Sequence, residues 1–149
     1  MVSIVYIGSD HAGLTLKEET GQYLRKAGYL VPDLGPCQFD PGDDFPDYAK
    51  KVCERVVKGN NKIGILICGT GQGMAIAANK IDGVRAAVCW NKKMARQARQ
   101  HLDANVLCLG ANYLDARKAK GIIEAFLKTK SSKEEKYSRR IKKIRELEK

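Results

Sequence analysis

Five short runs of β-branched and other apolar residues, at 2–7, 29–34, 63–68, 84–89 and 105–109, alternate with stretches of helical spacing at 14–26, 48–58, 74–80, 92–101 and 116–128. Near-continuous apolar runs of this length suit strands covered on both faces, and their alternation with amphipathic segments requires βαβ crossovers, which are right-handed as a rule. The pattern predicts an α/β fold built on one doubly wound, five-stranded parallel sheet. In such a sheet ligands bind beyond the carboxyl ends of the strands, so the loops that follow the strands are where chemistry is expected. With 149 residues the chain has enough material for one core and too little for two ordinary ones.

Residues 35–47 carry three of the four prolines and four aspartates. They read as a surface loop, because periodic structure resumes on both sides. From Ser131 onward the chain turns to Lys, Glu and Arg, with Tyr137, Ile141, Ile144 and Leu147 at helical spacing. That stripe is too narrow for a core and suits packing on a partner subunit. The expected organisation is one α/β domain over 1–130 and a basic helical extension over 131–149.

The formal charge of +10 is uneven, since residues 128–149 hold 10 basic and 4 acidic side chains. The body is only mildly basic, and Lys-rich helical stretches without a nucleic-acid motif read as solvated faces, so no nucleic-acid partner is expected. No apolar run approaches the roughly 20 residues that cross a bilayer, and the N-terminus lacks a signal-peptide pattern. A soluble, cytoplasmic protein without membrane contact is expected. The five cysteines are odd in number and form no CxxC pair. They have no His at zinc-ligand spacing, which argues against disulfides or a structural metal. Cys53, Cys89 and Cys108 lie in apolar or amphipathic stretches and read as small buried hydrophobes.

Two strand ends are chemically rich. The first runs into Gly8-Ser9-Asp10-His11-Ala12-Gly13 and the third into Cys68-Gly69-Thr70-Gly71-Gln72-Gly73. Gly69, Gly71 and Gly73, between a strand and a helix, would turn backbone N–H groups toward an anion. The spacing is not that of a dinucleotide fingerprint. Gly8 and Gly13 have P-loop spacing, but Leu14-Thr15 replaces the required Lys and Ser/Thr. Cys68 at the mouth of that cradle would be stabilised as a thiolate able to act as a base, with the Thr70 hydroxyl within relay distance. Local sequence alone weighs more toward an inward-packed thiol. His11 and His101 are the only histidines and hence the candidates for proton transfer near neutral pH. Asp10 reads equally as a helix cap, and His101 as a cation at a helix C-terminus. Because His101 ends a helix, simple topology puts it at the sheet edge opposite Cys68, and a second subunit could supply the missing edge.

Taken together, Gly8-Ser9-Asp10-His11-Ala12-Gly13, Ile67-Cys68-Gly69-Thr70-Gly71-Gln72-Gly73-Met74 with Ala77-Ala78-Asn79-Lys80, Gly83-Val84-Arg85-Ala86-Ala87, and Arg99-Gln100-His101 with Asp103-Ala104-Asn105-Val106-Leu107 resemble the type B ribose-5-phosphate isomerases. That family includes the galactose-6-phosphate isomerase subunits. The match covers nearly the whole chain in the same order. The resemblance implies a Rossmann-like enzyme, homodimeric with a tetramer as the alternative, that interconverts ribose 5-phosphate and ribulose 5-phosphate without metal or organic cofactor. It further implies that Cys68 is the base, that Thr70 assists it, and that the amides of Gly69, Gly71, Gln72 and Gly73 hold an enediolate. His101 from the other subunit would open the sugar ring, and Asp10 and His11 would contact the sugar phosphate.

The departures from the family pattern cluster where substrate is bound. Leu102 replaces the usual Asn, Asn112 stands where an Arg is common, and Glu134-Glu135-Lys136-Tyr137 replaces Gly-Gly-Arg-His, while Arg140 matches. Lys136 supplies a point charge without the bidentate fork of Arg. These changes keep open a six-carbon substrate, allose 6-phosphate or galactose 6-phosphate, and a noncatalytic phosphosugar-binding relative.

Overall fold

A computed structural model describes Val2 and residues 4–148. Ser3, within the first expected strand, and Lys149, at the end of the expected extension, lie outside the described residues. The elements in chain order are β1 (Ile4–Ser9), α1 (Leu14–Lys26), α2 (Phe45–Val56), β2 (Lys62–Cys68), α3 (Gln72–Ala78), β3 (Ala86–Val88), α4 (Lys92–Leu102), β4 (Val106–Gly110), α5 (Ala116–Lys128) and α6 (Glu135–Arg145). The sheet is parallel in the order β1-β2-β4-β3, with Ile65 facing both Ile7 and Leu107 in register.

Strand side chains alternate between two cores, which is what a doubly wound sheet requires. On one face Val5, Ile7, Ile65, Ile67, Leu107 and Leu109 pack with α1, α4 and α5. On the other, Tyr6, Leu66, Cys68, Val106 and Cys108 pack with α2 and α3. In α5 the buried positions Ala119, Ile122, Ile123 and Phe126 follow the helical repeat, and Asp115 caps the start by accepting from the Lys118 N–H at 2.8 Å. Full burial of a side chain such as Phe126 contributes about 1.5–3 kcal/mol.

The sheet has four strands, and the expected fifth, 29–34, is reduced to two isolated bridges beside β1, Ile4 to Leu30 and Ile7 to Asp33. Val5 N–H donates to the Leu30 carbonyl and Ile7 N–H to that of Pro32, while Leu34 N–H donates back to Ile7. The donor this ladder needs between those bonds falls at Pro32, which has no N–H, and the strand is split there. β3 is likewise shorter than predicted, because the N–H groups of Arg85 and Ala86 are taken by the side chains of Asn105 and Asn79. α2 begins three residues earlier than its periodicity suggests. Pro46 sits in its first turn, where a missing N–H costs nothing.

Lys17 of α1 is 1% exposed, and its ammonium reaches Asp33 Oδ1 and Oδ2 at 2.7 and 2.9 Å and the Pro36 carbonyl at 2.6 Å. The contact ties α1 to the segment that leaves the sheet edge. α6 lies on α4 of its own chain. Among the described residues no helix is long and apolar enough to cross a membrane.

Candidate active site

Cys68 is the last residue of β2 and 5% exposed. Its Sγ accepts the Gly71 N–H at 3.1 Å. Gly71 can deliver that bond because its φ of +77° turns the chain back toward the strand, a conformation that favours glycine. The turn is held from outside as well, since Cys68 and Gly69 carbonyls accept from Ala111 and Asn112 after β4. Gly110 makes this approach possible: a Cβ there would fall 2.8 Å from the Thr70 carbonyl.

The cradle differs in detail from the sequence expectation. Gly71 N–H is committed to the sulfur, and Gln72 N–H donates to Thr70 Oγ1 at 3.2 Å. Among the donors left for a ligand are those of Gly73 and Met74, which have no intrahelical acceptor in the first turn of α3. Thr70 Oγ1, accepting from Gln72, keeps its own proton available for donation. Phe45, the first residue of α2, lies against Gly73, within 2.8 Å of where a Cβ would stand.

Asp10 follows β1 and caps the short 3-10 turn His11–Gly13, its Oδ1 accepting from Gly13 N–H at 3.1 Å. The capping reading of Asp10 therefore holds, and its N–H also ties this loop to the Ile67 carbonyl beside Cys68. His11 is oriented by Asp43. Both its backbone N–H, at 3.1 Å, and its ring Nδ1, at 2.6 Å, meet Asp43 Oδ1. The hydrogen bond to this carboxylate, 5% exposed, holds the imidazole pKa above the ordinary 6.5, with Asp10 and Asp40 acting in the same direction and burial opposing. Stability from this pair is complete below pH 6.5 and is lost as pH rises through the raised value. Asp10, His11 and Asp43 each place a possible ligand atom within 4.8 Å of the others, and the His11–Asp43 bond occupies Nδ1 and Oδ1 of that group.

Asp43→Asn should therefore lower the His11 titration midpoint toward 6.5, followed by ring-proton NMR, in which only two histidines appear. A midpoint unchanged by the substitution would show that Asp43 does not hold the proton.

Asn112 lies against Gly69 on the same edge. His101 does not. It ends α4, whose chain then leads into the start of β4, at the edge opposite Cys68. There its ring stacks on Tyr137 of α6, with centroids 4.5 Å apart and planes 8° from parallel. Lys136 lies over the other partner of that stack, 4.9 Å from the Tyr137 ring centre, and is paired with Glu134 at 3.6 Å. Arg140, one turn on and exposed, shares that stretch of α6. One chain thus carries two separated groups: Asp10, His11, Cys68, Thr70, the glycine loop and Asn112 on one edge, His101, Lys136, Tyr137 and Arg140 on the other.

A family profile described as Ribose/Galactose Isomerase matches residues 5–144. The chain belongs to the ribose/galactose isomerase family. Among its relatives in that family, a probable ribose-5-phosphate isomerase B of Mycoplasma genitalium is 45% identical over 97% of this chain and 95% of its own length. A ribose-5-phosphate isomerase B from that organism, solved with bound ribulose-5-phosphate, superposes with a TM-score of 0.93 at 42% identity, covering 99% of this chain and 97% of the other. The type B ribose 5-phosphate isomerase of Trypanosoma brucei gives a TM-score of 0.94 at 41% identity, covering 99% and 100%.

Within this family fold three of the other thiols, Cys53, Cys89 and Cys108, are buried. Burial pushes Cys53 up to about 12 and Cys89 up to about 11, and raises Cys108 well above its ordinary value, so these three pack as inert hydrophobes, as expected. Sequence reasoning missed Asp43, Phe45 and the stacking role of Tyr137. Asp43 is one of four aspartates in a single loop, and nothing in their spacing separates it from the others.

Proposed function

We propose that the protein is an aldose–ketose isomerase interconverting ribose 5-phosphate and ribulose 5-phosphate, working in the cytoplasm as a homodimer with composite sites. The observation that carries this reading is the Cys68 sulfur fixed by Gly71 N–H beside the two free amides of Gly73 and Met74, in a family that has a relative with ribulose-5-phosphate bound. As the furanose opens, the anomeric hydroxyl gives up its proton to become the aldehyde, and His101 of the partner subunit takes that proton up and returns it to the ring oxygen as the ring C–O bond breaks. The Cys68 thiolate then removes the proton from carbon 2, leaving a cis-enediolate whose oxygen charge meets the Gly73 and Met74 amides. Thr70 passes a proton between the two oxygens, and return of the proton to carbon 1 completes the ketose. His11, held as a cation by Asp43, and Arg140 and Lys136 from the partner's tail bind the phosphate, with Asn112, Gln72 and Asp10 at hydroxyl groups. Each proton transfer has a residue of the chain, so the sequence of steps calls on no cofactor.

The separation of Cys68 and His101 supports the dimer, because neither edge is complete alone. The exposed Ile76, Trp90 and Tyr113, at 66%, 37% and 61%, supply apolar surface for it. Tail residues 131–149 form an extension that carries the partner's phosphate ligands.

Incubating the purified protein with ribose, allose and galactose phosphates, with and without a chelator, tests the reading. Ribulose 5-phosphate should form fastest. A six-carbon ketose formed faster would move the substrate to the alternative that Leu102 and Asn112 suggest, and no ketose from any sugar would mark a noncatalytic relative. His101→Asn should lose more activity on the cyclic sugar than on an open-chain substrate. Mixing the Cys68→Ala and His101→Asn proteins through an unfolding and refolding step should raise turnover of the cyclic sugar above that of either alone, because each hybrid dimer regains one intact site. A mixture no more active than either variant would place both residues in one chain's site.

A further inference from the structure

At the edge of the sheet away from Cys68, a cleft of about 1010 Å³ opens between the loop before β2, the turn before β3 and the C-terminal ends of α4, α5 and α6. Its lining includes six cations, Lys62, Arg85, Arg99, Lys128, Lys130 and Arg145, and a single acid, Asp103. That carboxylate is shared, with Arg85 Nη2 and Arg99 Nη1 each 3.2 Å from it. Lys128 is neutralised by Glu124, and Glu148 stands nearby, accepting from Gly83 N–H at 2.7 Å. Even with these acids counted, positive charge on the lining is in clear excess.

The two arginines are built in. Their side chains are 12% and 13% exposed, and carbonyls of Leu102, Asp103, Ala104 and Thr129 fix their planes. Arg85 uses Nε and Nη2 for these bonds and Arg99 uses Nε and Nη1, which leaves one terminal nitrogen of each guanidinium. Burial foremost, then Arg145 and Arg99, weaken Arg85's hold on its proton, with Asp103 and Glu148 opposing. Like charges gathered in a concave, partly desolvated space are costly until an anion joins them. Neither Cys68 nor His101 lines this space.

We propose that the cleft is a second ligand site, distinct from the isomerase site, and binds the polyphosphate chain of a small molecule. The volume exceeds what one phosphate needs, and the cations are spread around it as a chain of several phosphates requires. Tyr29 on the wall offers a ring against which an attached base could lie.

The test is calorimetric titration of the full-length protein, in the presence of saturating ribose 5-phosphate so that the sugar-phosphate site is occupied. Tripolyphosphate and ATP are compared with orthophosphate. One site per chain is expected for the first two, with affinity falling as salt rises. Lys130→Ala combined with Arg145→Ala, both exposed positions, should weaken binding by about tenfold or more while turnover stays at the parent level. Removing two repelling cations should leave the melting temperature unchanged or higher, so loss of binding will not reflect unfolding. ATP binding more tightly than tripolyphosphate identifies a nucleotide, and equal binding identifies the phosphate chain alone as the recognised group. No saturable binding, binding that ignores the double substitution, or tighter binding of a single-stranded oligonucleotide overturns the proposal.

Discussion

Cys68→Ala is expected to lower kcat for ribose 5-phosphate by about a hundred to ten thousand fold, the usual worth of a positioned base. The fold should survive. Alanine fits the pocket between β2 and α3, and the unpaired Gly71 N–H costs about 1 kcal/mol, equivalent to a few degrees in Tm for a chain of this size. Cys68→Ser sharpens the test, because its oxygen restores an acceptor for Gly71 while its hydroxyl is a far weaker acid than a thiol. The serine variant should recover stability and remain inactive. Turnover near the parent rate in either variant would transfer the role of base to another group, with His11 and Asp10 the nearest candidates on that edge.

Lys17→Ala is expected to be the most damaging single change to stability. The ammonium is fully enclosed and meets three oxygens, so its removal strands Asp33 and the Pro36 carbonyl. Breaking a buried pair in this way costs about 3–5 kcal/mol, or about 10 °C in Tm at the slope typical of this length. Lys17→Met restores the volume without the charge and should fall between, because Asp33 is 29% exposed and stays partly hydrated. Thermal melts of the three proteins decide it. An alanine variant that melts with the parent would mean that desolvation of the ammonium cancels its contacts.

Much of this architecture is legible from periodicity. Runs such as Ile63 to Cys68 and Ile122 to Phe126 announce their partners because burial on a sheet face leaves few residue types to choose from. Pro32 escaped that reading, since the mostly apolar run at 29–34 keeps its strand-like pattern although one of its six residues lacks an N–H group. At the site, the Cys68 loop was visible because chemistry and glycine spacing coincide in six consecutive residues. Asp43 was not, because its partner His11 is 32 positions away and only the folded loop brings them together. The direction of the Gly71 N–H was equally hidden, as it depends on one backbone angle.

The two edges also differ in how freely they can change over evolutionary time. The Cys68 turn is wedged between β4 and the His11 loop, where Gly110 leaves no room even for a methyl group, so most substitutions there disturb several backbones at once. His101's neighbours Leu102, Lys136 and Arg140 stand exposed on the outside of helices, and Tyr137 is only half-buried against the His101 ring, so side chains there can be exchanged with little cost to the fold. If the residues act as proposed, a lineage can retune how it binds its sugar phosphate by drifting along the tail while inheriting the Cys68 loop intact, and the departures from the family pattern at 102, 136 and 137 fall on that permissive surface.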